Sequence, residues 1–204
     1  MKGNNFFWIS FADLMTSLFF LLLVLFGISI YQYRVTFKEL EALKDIRKAT
    51  QELPKSYFQY DVKYKRYKLN REIQFDELSD VINASDTTFL KSVGKSVESK
   101  IDELNSNPKY KKRKIVYLII IEGMSSRIRY DENFELSYKR AFSVYKLWKR
   151  TLSNQSILFR PEICEIQISG SGEDGIREFS GVNEEKNQQI LIHIIPKYDF
   201  ENKK

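Results

Sequence analysis

One cysteine and one histidine stand in a chain of 204 residues. The lone Cys164 excludes an intrachain disulfide, is neutral on the compartment, and alternates with apolar neighbours as a core residue does. The lone His193 lies in a strand-like run without the companions a zinc site needs, and no nucleophile–histidine signature accompanies it. Glycine is scarce too, at eight residues, and proline scarcer, at four. Gly170-Ser171-Gly172 leads into an acidic loop rather than Gly-Lys-Ser/Thr, which excludes a phosphate-cradling loop. No metal, no cofactor and no enzymatic activity are expected. Lysine and arginine outnumber aspartate and glutamate by 33 to 27, for a net charge of +6 and a pI of about 9.2. The excess sits in Lys63–Arg71 and Lys109–Lys114, each with interleaved tyrosine. No nucleic-acid module accompanies them, so they read as solvated surface, with affinity for anionic wall polymer or lipid headgroups as the alternative.

What the chain does have is a long apolar run, Phe6 to Tyr31, FFWISFADLMTSLFFLLLVLFGISIY. At ~1.5 Å per residue a helix of about 25 residues spans roughly 37 Å, enough to cross a hydrocarbon core of about 30 Å. Its one carboxylate, Asp13, costs on the order of 2.5–3.5 kcal/mol near the centre of a bilayer and so marks a functional position that needs a partner. Ser10, Asp13, Thr16 and Ser17 are spaced three or four apart and share one helix face, which continues as Phe20, Leu21 and Val24. A polar path thus enters from the N-terminal end and stops at an apolar plug. A secretory signal fits poorly, because the run is long, contains Asp13 and ends in Ile30-Tyr31-Gln32-Tyr33 without small residues for cleavage. Arg34, Lys38, Lys44, Arg47 and Lys48 outnumber Lys2 and the terminal amine, and the positive-inside rule alone places the C-terminal part in the cytoplasm.

The run FWISFADLMTSLFFLLLVLF, with Phe11-Ala12-Asp13-Leu14-Met15-Thr16 at its centre, resembles the transmembrane segment of the MotB family of ion-driven stator subunits, and among them the B subunit of the Zorya anti-phage systems. The resemblance implies that Asp13 carries the permeating proton or sodium ion, with Ser10, Thr16 and Ser17 along the ion path. It implies a homodimer inside a MotA-like multi-span partner, a pentamer around the dimer. It also implies a bacterial inner-membrane location, with residues 1–5 as a short cytoplasmic tail and a periplasmic C-terminal domain, against the charge rule. Flagellar members usually have one more residue between the Trp and the Asp than Trp8 to Asp13 allows, which points away from the flagellum more than from ion conduction.

After the span at 6–31, residues 32–56 form a helical linker. Tyr33 to Leu53 has no breaker before Pro54, and Phe37, Leu40, Leu43 and Ile46 recur every three residues as a stripe suited to a second chain. By the resemblance, Val35–Leu53 is a plug that blocks ion flow; a solvated helical stalk is the other reading. From Tyr57 to Phe75, aromatic and β-branched alternation predicts two strands or one with a continuation. Asp86 is expected to N-cap a helix to about Leu104, ended by Asn105-Ser106-Asn107-Pro108. Lys114 to Ile121 reads as a strand covered on both faces. A second helix follows over Asn133 to Leu152, burying Leu136, Ala141, Val144, Tyr145 and either Leu147 or Trp148. Strands at Ile163–Ser169 and Gln188–Pro196 complete an α/β sandwich, an α+β domain with helices over one face of a mixed sheet.

This order resembles the OmpA-like peptidoglycan-binding domain over roughly Tyr57 to Tyr198, which sets a domain at 57–199 and a tail at 200–204. The family's Gly-His-Thr-Asp turn appears as Gly123-Met124-Ser125-Ser126, and its Asn…Leu-Ser…Arg-Ala helix start as Asn133, Leu136-Ser137 and Arg140-Ala141. Gly170-Ser171-Gly172-Glu173 matches the loop after the third strand, and Asn187-Gln188-Gln189 stands where Asn-Arg-Arg is usual. The family holds the diaminopimelate group of the wall peptide between the turn Asp and the helix Arg, a complementary acid and base. Arg140 is retained, while Ser126 replaces the acid and Met124 the His. The peptidoglycan-binding set implied here is Ser126, Asn133, Arg140 and Asn187, with Asp131 or Glu132 as substitute acids. The expected function is an ion-conducting stator subunit of a Zorya-type defence system. A passive wall tether, or a flagellar or gliding stator, is the alternative.

Overall fold

The computed structural model describes residues 4–64, 66–111, 115–127, 132–153 and 155–197. It divides into two units, Met1–Asp45 and Ile46–Lys204. The first is made by helix α1, Asn4–Thr50, whose last turn belongs to the second unit. Among the described residues, α1 is the one helix long and apolar enough to cross a membrane. From Phe7 to Phe37 its large apolar side chains are open rather than covered by protein. Uninterrupted helix-forming and apolar residues carry it past the lipid-length run until Pro54, which cannot continue a helix.

The stripe expected to run from Phe37 to Ile46 divides. Phe37 and Leu40 are exposed, whereas Ile46 is fully buried and Ala49, Thr50 and Leu53 lie in or against the core of the second unit. That unit therefore starts about ten residues before Tyr57. A free linker or plug through residue 56 does not describe the segment from Ile46 on, because its apolar face is spent on the domain's own core.

The second unit follows the expected order: β1 (Phe58–Asp61), β2 (Arg66–Leu69), α2 (Ala84–Ser106), a short α3 (Pro108–Lys111), β3 (Val116–Gly123), α4 (Asn133–Thr151), β4 (Cys164–Gly170) and β5 (Ile190–Lys197). The sheet order is β1-β2-β5-β3-β4. β3 and β4 pair in parallel across α4, and the other pairs are antiparallel. This is an apolar N-terminal helix followed by an α/β sandwich with a mixed sheet.

Two amphipathic helices cover one face of that sheet. α2 buries Leu90, Val93, Val97, Ile101 and Leu104 at three- and four-residue spacing, and α4 buries Leu136, Ala141, Val144, Leu147 and Trp148 along one face. Both Leu147 and Trp148 are inside, while Tyr145 is only half-buried. The Trp148 indole donates from Nε1 to the Leu90 carbonyl at 2.9 Å, tying the two helices together. Gly123 sits where α4 crosses β3 closely: a Cβ there would lie 2.0 Å from the Ser137 carbonyl oxygen.

Two local expectations are corrected. Asn83, not Asp86, is the N-cap of α2; Asp86 lies in the first turn, buried, and takes the Arg71 guanidinium at 2.9 Å and the Gln74 N–H at 3.2 Å. β3 is covered on one face only. Tyr117, Ile119, Ile121 and Gly123 are buried under the helices, while Val116, Leu118, Ile120 and Glu122 are half-buried on the open face. A run apolar at every position hides the period-2 signal that separates the two cases.

Candidate functional site

Asp13 sits in the first unit, on α1, with Ser10, Thr16 and Ser17 on the same face by helical spacing. The two hydroxyls C-terminal to it are spent on the helix itself: Thr16 Oγ1 donates to the Ala12 carbonyl at 2.7 Å and Ser17 Oγ to the Asp13 carbonyl at 2.9 Å. This back-bonding satisfies a hydroxyl inside the helix without engaging the carboxylate. Phe7, Trp8 and Phe11 pack on one another beside it, with centroids 6.0–6.4 Å apart. Phe20, Leu21 and Val24 continue the face as open apolar surface.

The residues expected to hold wall peptide are all buried in the second unit. Ser126 is 2 % exposed and its Oγ accepts from Gln188 Nε2 at 2.9 Å. Asn187 accepts on Oδ1 from the Glu178 and Phe179 N–H groups and donates from Nδ2 to the Phe179 carbonyl at 2.9 Å. Arg140 is 2 % exposed; its Nε donates to the Ser79 carbonyl at 3.0 Å and its guanidinium lies 4.9 Å from the Phe75 centroid. Burial lowers the Arg140 pKa, opposed by the Asp80 carboxylate. Asn133 opens α4 and is buried as well. Ser126 and Asn187 come together through Gln188, whereas Arg140 faces the 76–79 segment. A cleft of about 570 Å³ lined by Glu72, Asp76, Glu77, Glu185, Lys186 and Gln188 includes partners of Arg140 and Ser126 but none of the four expected residues. Of the substitute acids, Asp131 lies outside the described residues, and Glu132 directly precedes α4.

Solved structures similar to the domain include the following three. The C-terminal domain of Helicobacter pylori MotB matches at 18% identity and a TM-score of 0.41, over 64% of this chain and 87% of that one. The peptidoglycan-associated lipoprotein of Burkholderia pseudomallei matches at 14% and 0.37, over 63% and 91%. An OmpA-like domain from Francisella tularensis matches at 14% and 0.40, over 69% and 79%. No protein-family model and no curated protein matches the chain.

Two polar clusters on the open sheet face were not expected from sequence. Glu122 takes His193 Nε2 at 2.7 Å and also the Ser171 hydroxyl. Burial pushes the Glu122 carboxyl up, but the hydrogen bonds from His193 and Ser171 outweigh it and hold the group below the ordinary carboxylate range. Here the carboxylate bridges the serine and the histidine, which do not bond each other, so this is not a nucleophile arrangement. Nearby, Glu178 takes Arg66 Nη2 and Lys68 Nζ, each at 2.7 Å. Arg66 and Lys68 belong to the Lys63–Arg71 stretch expected to be solvated, yet Arg66 is buried. Strand alternation places Glu122 and His193 on faces; only the β3–β5 register makes those faces the same.

Proposed function

We propose that this chain is a single-pass inner-membrane stator subunit of the MotB type, which carries protons or sodium ions on Asp13 within a MotA-like multi-span partner. The observation that carries the reading is a carboxylate alone in the apolar run Phe6 to Tyr31 of a helix long enough to span a membrane, left free by the hydroxyls beside it and set in the Phe11-Ala12-Asp13-Leu14-Met15-Thr16 motif. Such a group needs a polar partner inside the membrane, which a multi-span protein supplies. Each elementary charge moved across 100 mV releases about 2.3 kcal/mol. Alternating occupancy of two Asp13 copies in a homodimer turns that energy into stepwise rotation of the surrounding ring.

The N-terminus is cytoplasmic in this reading and the OmpA-like domain is periplasmic, where it anchors or gates the stator at the peptidoglycan. The output is a Zorya-type response to phage. Asp13→Asn and Asp13→Ala should abolish ion flux in vesicles that hold the chain with its multi-span partner under an imposed potential, with Val35–Asp45 deleted to open any plug. Flux unaffected by both substitutions would leave a membrane-anchored tether as the better account. Sedimentation with purified peptidoglycan tests the anchor separately.

A further inference from the structure

The strands at the two ends of the sheet differ in how they are protected. β1 is four residues long, closes on the charged Asp61 and is followed by Val62 and the charged Lys63. Short, charged edges are a usual guard against further strand pairing. β4 is longer and carries a single charge, Glu165. It runs seven residues, CEIQISG, with no proline, no lysine and an unbroken seven-pair register against β3.

Its outward backbone groups can be assigned. The Ile163 carbonyl accepts from Tyr117 N and the Ser171 N–H donates to Gly123 O, so the odd-numbered residues of this segment face β3. The N–H and C=O groups of Ile166 and Ile168 therefore point away from the sheet. Among the described residues no strand pairs with them.

An aromatic row flanks this edge on the helix side. Along α4, Tyr138 stacks on Phe142 and Phe142 on Tyr145, with centroids 6.1 and 6.0 Å apart, and Tyr145 meets Phe159 at 6.3 Å. Tyr138 is 45 % exposed. Tyr145, Phe159, Ile166 and Ile168 line one cleft of about 520 Å³.

We propose that the β4 edge pairs antiparallel with the β4 edge of a second copy of this chain, about a two-fold axis at Gln167. That register sets Ile166 against Ile168 of the second copy, so the outward backbone groups meet as hydrogen-bonded pairs. Gln167 faces Gln167 of the second copy at a non-hydrogen-bonded position. Glu165 falls opposite Ser169 of the second copy and not opposite another Glu165, so no like charges are opposed. The edge is complementary to itself in backbone and side-chain pattern, as an isologous interface requires, and Lys146 and Lys149 lie over the Phe142 and Phe159 rings on its helix side. The two aromatic rows lie along the same seam and supply its apolar area. None of this depends on ion conduction by Asp13.

Cysteine cross-linking of the full chain in its membrane tests the register. Non-hydrogen-bonded antiparallel partners sit about 4.5 Å apart at Cα, within disulfide range. Cys164 stays in place, since burial keeps its thiol unreactive. Gln167→Cys is expected to give a covalent dimer under mild oxidation, at least tenfold above the same change at Gln59 on β1. Two differently tagged copies, one Glu165→Cys and one Ser169→Cys, are expected to cross-link to each other and neither to itself. Cross-linking of Gln167→Cys no greater than that of Gln59→Cys would overturn the proposal, as would self-linking of Glu165→Cys or a cross-link to a different protein.

Discussion

Arg140 lays its guanidinium over the Phe75 ring, 4.9 Å from the centroid, while its Nε holds the Ser79 carbonyl. The side chain fastens the segment before α2 to the start of α4. Arg140→Ala should therefore unfold the domain more easily, by about 2–4 kcal/mol from the lost charged hydrogen bonds and cation–π contact. Arg140→Lys should recover only part, since an ammonium does not reproduce the planar fork. Denaturant midpoints decide it. A variant that binds less wall peptide with an unchanged midpoint would show that Arg140 acts as a ligand rather than as a fastener.

Gly94 lies under the indole of Trp148, and a Cβ at Gly94 would stand 2.8 Å from Trp148 Nε1. In an open helix, Gly→Ala gains about 1 kcal/mol. Here the sign should reverse, with a loss of about 1–3 kcal/mol from overpacking between α2 and α4. A double-mutant cycle with Trp148→Leu should show coupling, because the smaller side chain makes room for the methyl.

Ile46 and Phe37 lie on the same helix with opposite fates. Ile46→Ala empties a fully buried site and should cost the domain about 2–5 kcal/mol. Phe37→Ala removes a side chain that is 55 % exposed and should leave domain unfolding within about 0.5 kcal/mol. Equal effects would place the domain boundary elsewhere.

The Glu122 carboxyl titrates lower in the folded chain than in the unfolded one. Its stabilising contribution is then fully present above the ordinary carboxylate range of about 4.3 and is lost as the pH falls through the folded value. Glu122→Gln should be less stable than wild type at pH 5.5, and the gap should narrow steadily toward pH 3. Unfolding midpoints across that window provide the measurement. A gap that widens on acidification would contradict the depressed pKa.

Much of this chain was legible from one dimension. An apolar run of lipid-spanning length with one acid in it needs no tertiary information, because helical rise and spacing alone place Ser10, Asp13, Thr16 and Ser17 on a common face. The strand and helix order of the domain was legible for the same reason: Val93, Val97 and Ile101, or Val144, Leu147 and Trp148, repeat with the helix. Where a signal is absent or shared, local periodicity does not decide. β3 is apolar at every position, so its open face could not be told from its covered one. Asp86 and Asn83 are both good capping residues, and the choice between them fell to the buried contact of Asp86 with Arg71.

The sequence by itself determined the elements and their chemistry: a membrane-length helix, the acid on it, and the periods of the strands and helices that follow. Only the tertiary structure decided what each polar residue is spent on. It turned Arg140, Ser126 and Asn187 inward to their own chain, joined Glu122 to His193 across two strands, and drew Ile46 into the core. Local periodicity assigns a side chain to a face, but strand register and helix packing, which bring together residues as distant as 122 and 193, determine what that face meets.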